Sequence, residues 1–334
     1  MRRTLLLAAA LVACLSAPLS YEAHARPQAA AKSRITTASG VRLRSGPDTK
    51  AEEVGRLQLG VVVDEIERSA AKARVGEAED YWYMVAAPGG ARGWVFGALT
   101  EAFDPARRAE VYTRLASARV ANADAKFAEL ADLVKFTSRA LREVTTRAAA
   151  AELELLRLQA LARSLASVEM TELEKEPYRS FVKEHEAEIV YSEPAGQWYV
   201  NSDVLWKLRE KYKDLPLAER IAWEAASTPL PGECEGYVPC YLYKETVTNG
   251  RYLELYPQGE HAEAALGNVT EWLGTLEDDV KSDGRADYDM PKDKADRDEF
   301  NKSLATFRKQ LTPVKHPLAA QILRRLDALA RGVR

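Results

Sequence analysis

Cysteine and histidine are scarce in this 334-residue chain, with three of the first and four of the second. So few ligands of these types exclude a multi-bridge cysteine scaffold. A zinc site needs four ligands at recognisable spacing, and His185, His261 and His316 are scattered with no cysteine nearby. No metal is expected. A Gly-rich phosphate loop, a Gly-x-Ser-x-Gly turn and a His-Glu-x-x-His pair are all missing, so phosphate cradling, the serine-hydrolase elbow and zinc peptidase chemistry have no foothold. No cofactor is expected either. Excess positive charge is also missing: 47 Lys and Arg stand against 50 Asp and Glu, a formal net charge of −3. A mildly acidic chain has no general attraction for phosphate backbones, and nucleic acid is not an expected partner. No run approaches the roughly 20 apolar residues of a membrane span.

What is present begins with a compartment signal. Met1-Arg2-Arg3 is a cationic head, Leu5 to Pro18 is apolar apart from Ser16, and the small-residue triplet Ala23-His24-Ala25 follows. This is the layout of a secretory signal peptide over residues 1–25, with a linker over 26–34. The mature chain is then exported, periplasmic or envelope-associated, and keeps a mild acidic excess. Leu11-Val12-Ala13-Cys14 resembles the lipobox of bacterial lipoproteins, which implies a second route in which Cys14 carries a lipid anchor. On either route Cys234 and Cys240 remain as thiols. In an oxidising compartment, with turn residues Pro231-Gly232 and Pro239 around them, they read as a local disulfide.

From Ile35 to Phe103 the chain has short alternating apolar runs parted by turn clusters about every ten residues, the texture of a small barrel or sandwich. Val41-Arg42-Leu43-Arg44-Ser45-Gly46-Pro47, then Gly55, Leu57 and Gly60, then Trp82-Tyr83 with Val85, and Gly93-Trp94-Val95 occur in order. Together they resemble a bacterial SH3 domain of the SH3b type. The resemblance implies a small β-barrel that targets peptidoglycan or binds protein in exported and cell-wall proteins. Leu43 stands where the family usually has Asn, so a ligand contact there does not carry over. The two-residue strand period puts Tyr81, Tyr83 and Val85 on one face and Trp82 with Met84 on the other. A small barrel hides one face, so Tyr81, Trp82, Tyr83 and Trp94, beside Arg42, Arg44 and Arg92, form a candidate surface for stacking on a sugar or peptide and pairing a carboxylate. The competing reading has Trp82 and Trp94 capping the barrel core.

The rest reads as helical. Asp104-Pro105 is an N-cap and first turn for a helix over Ala106 to Val120. Apolar residues recur at three- and four-residue intervals over Ala123 to Val144 and again from Leu158 to Val168, and no Gly or Pro interrupts Asp124 to Glu176. Long antiparallel helices over 104–176 are expected, with a short coiled coil as the alternative. Around Pro194-Ala195-Gly196, residues 188–200 suggest a β-hairpin, and a helix resumes near Asp203 with Asn201 or Ser202 as cap. "YKDLPLAERIAWEA" from Tyr212 echoes "YPQGEHAEAALGNV" from Tyr256, which suggests one helix-turn-helix unit used twice. Tyr252 to Pro257, with Gly259, His261, Ala262 and Ala265, is similar to the helix-turn-helix phrase of tetratricopeptide-like envelope proteins, implying a protein-binding helical stack. The acidic groups Glu277-Asp278-Asp279 and Asp283 to Asp298 are interleaved with Lys and Arg and lack the EF-hand order; they read as a solvated linker. Glu233 and Glu235 are a conceivable glycosidase pair, but nearness in sequence does not set their spacing.

The expected architecture is therefore multidomain: a small all-β SH3-like barrel over 35–103, a boundary near Phe103 to Arg107, and a mainly α-helical, disulfide-stapled body continuing over 177–334. The expected role is that of a non-catalytic exported envelope protein binding peptidoglycan or an envelope protein. One alternative is a cell-wall hydrolase with an unrecognised helical catalytic domain; another is a scaffold whose barrel packs only on its own helices.

Overall fold

The computed structural model describes residues 32–281 and 289–332. The leader, Cys14 and most of the linker lie outside the described residues, as does part of the acidic run after Lys281. The β-region comprises β1 (Ser33–Thr36), β2 (Val41–Arg44), β3 (Glu53–Leu57), β4 (Val62–Arg68), β5 (Ala73–Val75), β6 (Ala78–Asp80), β7 (Trp82–Ala86), β8 (Arg92–Phe96) and β9 (Thr100–Phe103). Seven of these form one antiparallel sheet in the order β3-β2-β8-β7-β4-β1-β9, and β5–β6 is a separate hairpin. The linker expectation needs correction at its end. Ser33 and Arg34 belong to β1, paired with both β4 and β9, because the alternation of Arg34, Ile35 and Thr36 already fits a strand between two neighbours.

Alternation explains the sheet's interior. Val41 and Leu43 of β2, Val63 of β4, Tyr83 and Val85 of β7 and Val95 of β8 meet in one small core with Leu57 and Ala87. Ile35, Leu59 and Phe103 do not join it. They belong to a second, larger core that continues through the helices to Leu326.

Asp104 accepts from the Ala106 N–H at 2.9 Å, with Pro105 in the first turn, and leads into α1 (Arg108–Val120). Next come α2 (Phe127–Ala140) and α3 (Arg147–Ala166). The helix expected from Ala123 is shorter at both ends. It starts after Lys126, where the Glu129 side chain reaches back to accept from the Lys126 N–H at 3.1 Å, which fixes the first turn from the glutamate side alone. Then follow α4 (Tyr178–Glu184), the hairpin β10 (Ile189–Ser192) and β11 (Gln197–Val200), α5 (Ser202–Lys211), capped by Asn201, and α6 (Ala218–Ser227). The chain ends with α7 (Val238–Val247), α8 (Asn249–Leu255), α9 (Ala262–Lys281), α10 (Lys294–Leu311) and α11 (Pro317–Gly332). α5 and α8 end at Lys211 and Leu255, and α6 and α9 begin at Ala218 and Ala262, so the two turns are displaced by the same 44 residues as the sequence echo. Among the described residues no helix is long and apolar enough to cross a membrane. Cys234 and Cys240 form a disulfide, with Cα atoms 5.6 Å apart, at the start of α7.

The two regions share a tight seam. Phe136 of α2 is 1% exposed and meets the Tyr112 ring edge-on at 5.4 Å, while Tyr112 stacks on Phe103 at 6.0 Å. Gly60 has φ +73°, and a Cβ there would lie 2.1 Å from the Phe136 ring; only glycine satisfies both demands. Polar bonds close the seam. The Leu59 N–H donates to the buried Asp132 carboxylate at 2.9 Å, Arg139 donates to the Leu59 carbonyl at 2.8 Å, and Arg119 reaches the Thr37 carbonyl.

Candidate functional site

The outer face of β2, β8 and β7 can be built from the register. Arg44 lies opposite Trp94, and Trp94 lies opposite Met84; along the same ladder Arg92 faces Ala86 and Phe96 faces Trp82. Opposed residues project to the same side of a sheet, so Arg42, Arg44, Arg92, Trp94, Met84 and Trp82 share the face away from the barrel core. Trp94 and Met84 are half-buried, and Arg42 and Arg92 are exposed. Arg42 lies 3.3 Å from Glu53. The Glu53 carboxyl is held below its usual range, first by its hydrogen bond from Arg56 and then by the charges of Arg56, Arg42 and Arg44, so this rim stays ionised. The face offers the half-buried Trp94 ring and Met84 thioether for an apolar or sugar face, with Arg92, and Arg42 shared with Glu53, for an anionic group.

Three of the seven expected residues are not available in this way. Trp82, 4% exposed, lies against Phe96 with ring centroids 5.4 Å apart, and its indole N–H is buried without an acceptor among the described residues. Tyr83, 9% exposed, belongs to the barrel core, and the Arg34 guanidinium sits 3.7 Å from its ring centroid. Arg44 is buried and donates to the Ala51 carbonyl at 2.7 Å, bracing the β2–β3 loop. The argument that one barrel face must leave rings exposed fails here because Phe96 covers the outer ring and the core takes the inner one. Tyr81 is half-buried at the edge of the barrel core, with Arg68 at 4.3 Å and Lys72 at 5.7 Å from its ring; it stands apart from Trp94 as a separate cation–π cluster.

Sequence reasoning missed Arg34. Buried at 8%, it donates to the Thr100 hydroxyl at 2.8 Å and lies 3.4 Å from Glu65 while covering Tyr83. The alternation before Ile35 could have revealed it. Among the described residues the three histidines have structural neighbours: His185 lies tilted against Phe181 and meets Glu188 at 3.3 Å, His261 stacks on Trp223 at 4.7 Å, and His316 accepts from the Leu318 N–H at 3.2 Å. Glu233 and Glu235 are both exposed on the disulfide loop.

A small sheet wrapped on its own core, with an aromatic and cationic outer face and a helical body behind it, defines a β-module of the SH3 class. The family model of the bacterial SH3 domain matches residues 39–101, so the chain carries a bacterial SH3 domain there. This domain is typical of cell-wall-associated proteins. The helical region after it has no family assignment. Neither the curated proteins nor the solved structures contain a match to this chain.

Proposed function

We propose that this chain is an exported, non-catalytic cell-envelope protein whose SH3 domain binds cell-wall material or an envelope protein, with the helical body as a protein-interaction platform. The observation that carries the reading is the outer face around Trp94. The helices take Ile35, Leu59, Gly60 and Phe103, none of which lies on that face, and Trp94, Met84, Arg42 and Arg92 stay accessible to a partner. The disulfide fits an oxidising compartment. It also removes the thiolate that a cysteine–histidine amidase would require.

The test is retention on purified peptidoglycan sacculi, alongside a zymogram on the same material. Trp94→Ala combined with Arg92→Ala is expected to reduce retention about tenfold with little change in melting temperature, because a half-exposed ring and an exposed cation contribute little to folding. The full chain is expected to give no clearing zone. Retention unchanged in the double variant would remove the Trp94 face from the function, and a clearing zone would turn the reading to a hydrolase.

A further inference from the structure

Behind the SH3 domain, on the side facing the helices, lies a groove of about 480 Å³, within the range of small-ligand sites. Its barrel wall has an apolar patch of Val61, Val62 and the exposed Pro88, with Arg56 and Gln58 as polar members of the same wall. Its other wall carries Arg108 from α1 and Arg139 from α2, with Tyr112 and the Glu143 carboxylate beside them, so two cations stand against one anion. The groove exists only because the two regions pack together. No local stretch of sequence announces it.

The charges on the helical wall are incompletely matched. Arg108 Nε lies 3.4 Å from Glu143, near enough for an ion pair, yet that buried N–H is not aligned to donate and has no hydrogen-bond acceptor. Glu143 already accepts from the Tyr112 hydroxyl at 2.8 Å. Tyr112 remains a neutral donor at physiological pH, since burial and then this bond push it up to about 12. Arg139, four residues before Glu143, donates to the Leu59 carbonyl and makes no ion pair among the described residues. A guanidinium carries five N–H donors in a fixed fork, so the contacts to Glu143 and to the Leu59 carbonyl leave each arginine with further N–H groups that can donate to a ligand.

We propose that this groove binds the terminal carboxylate of a short peptide, held between Arg108 and Arg139, with the peptide's last apolar side chain resting on Val61, Val62 and Pro88. A carboxylate accepts from two guanidiniums with the charge-assisted bonds that Arg geometry favours. The apolar wall beside the cations distinguishes a peptide end from a bare anion. This site is separate from the Trp94 face and does not depend on it.

The probe is a fluorescein-labelled Gly-Ser-Gly-Val-Leu peptide, titrated into the full chain by fluorescence anisotropy as the free acid and as the C-terminal amide. The free acid is expected to bind at least about tenfold more tightly than the amide, the usual effect of losing a charged hydrogen-bond partner. Arg108→Gln is expected to abolish that difference. Pro88→Glu, an exposed change that adds negative charge at the rim, is expected to weaken the acid about tenfold while leaving the melting temperature unchanged. Trp94→Ala should leave peptide binding intact, so failure of this site and failure of the cell-wall reading are distinguishable. No binding of either peptide, equal binding of acid and amide, an acid preference that survives Arg108→Gln, or acetate competing as well as the peptide would each overturn the proposal.

Discussion

The SH3 domain and the helical body are held together by different kinds of sequence information. In the SH3 domain single residues have single reasons: Gly60 for a positive φ under Phe136, Val41 and Leu43 for an alternating inner face. In the helical body the information is periodic and redundant, spread over long apolar stripes such as Leu153 to Leu165 of α3. The first kind of pattern is what a family signature records. The second specifies packing without naming a family, because many sequences satisfy a stripe. Yet the larger core takes Ile35, Leu59 and Phe103 from the β-region, so the boundary that separates the patterns does not separate the packing.

The most severe test of that comparison is Phe136→Ala. The ring is 1% exposed and fills the space over Gly60 beside Tyr112. Its loss is expected to cost about 3–5 kcal/mol, as for other buried aromatics. Both regions should melt together, seen as coincident far-ultraviolet and tryptophan-fluorescence transitions. The same reasoning predicts that a fragment spanning Lys32 to Asp104, with Ile35, Leu59 and Phe103 stripped of their cover, is much less stable than the β-region within the full chain. A fragment as stable as the whole would restore two independent folding units.

A second test concerns charge within the body alone. Glu188, just before β10, accepts from Arg157 at 2.9 Å and from the neighbouring guanidinium nitrogen, and His185 lies 3.3 Å away. Burial pushes its carboxyl up, but the bonds from Arg157 and His185 outweigh this and bring it down to about 2 from an ordinary 4.5. A carboxyl depressed in the folded state stabilises fully above its unfolded value and loses that stabilisation as pH falls through its folded value. Glu188→Gln is therefore expected to cost about 2–3 kcal/mol near neutral pH. The gap to the parent should narrow between pH 5 and pH 2 in urea titrations. A gap constant with pH would show that the carboxylate is not what joins α3 to the hairpin.

How far the sequence shows this structure depends on the range of the interaction. The strands around Val41 and Trp94, the cap at Asp104, the hairpin at Gly196 and the turns after Lys211 and Leu255 are legible because neighbouring residues decide them. The strand period alone does not decide whether Trp82 and Tyr83 face a partner or the core, because their cover, Phe96 and Arg34, comes from other strands and depends on register. The groove lined by Arg108 and Arg139 had no signal at all. Its walls come from residues 56–62, 87–88 and 108–143, and only tertiary packing brings them together.

The smallest expected effect concerns the staple, which belongs to the body alone. Among the described residues, Cys234 and Cys240 are the only cysteines, and their bridge closes a loop with a sequence separation of 6 just ahead of α7. So short a ring removes little chain entropy from the unfolded state, roughly 2 kcal/mol by the loop-closure relation. Replacing both cysteines with serine should thus lower stability by about that amount, measured by urea denaturation without reductant. Mass spectrometry of the unreduced parent should find the peptides carrying Cys234 and Cys240 linked. Because Val238, inside the bridged loop, packs in the shared core, a loss well above this figure would show that the loop also helps to position α7 in the folded state. A loss near 2 kcal/mol, with retention on sacculi unchanged, would confine the staple to the unfolded chain of the body and leave the SH3 domain's binding face independent of it.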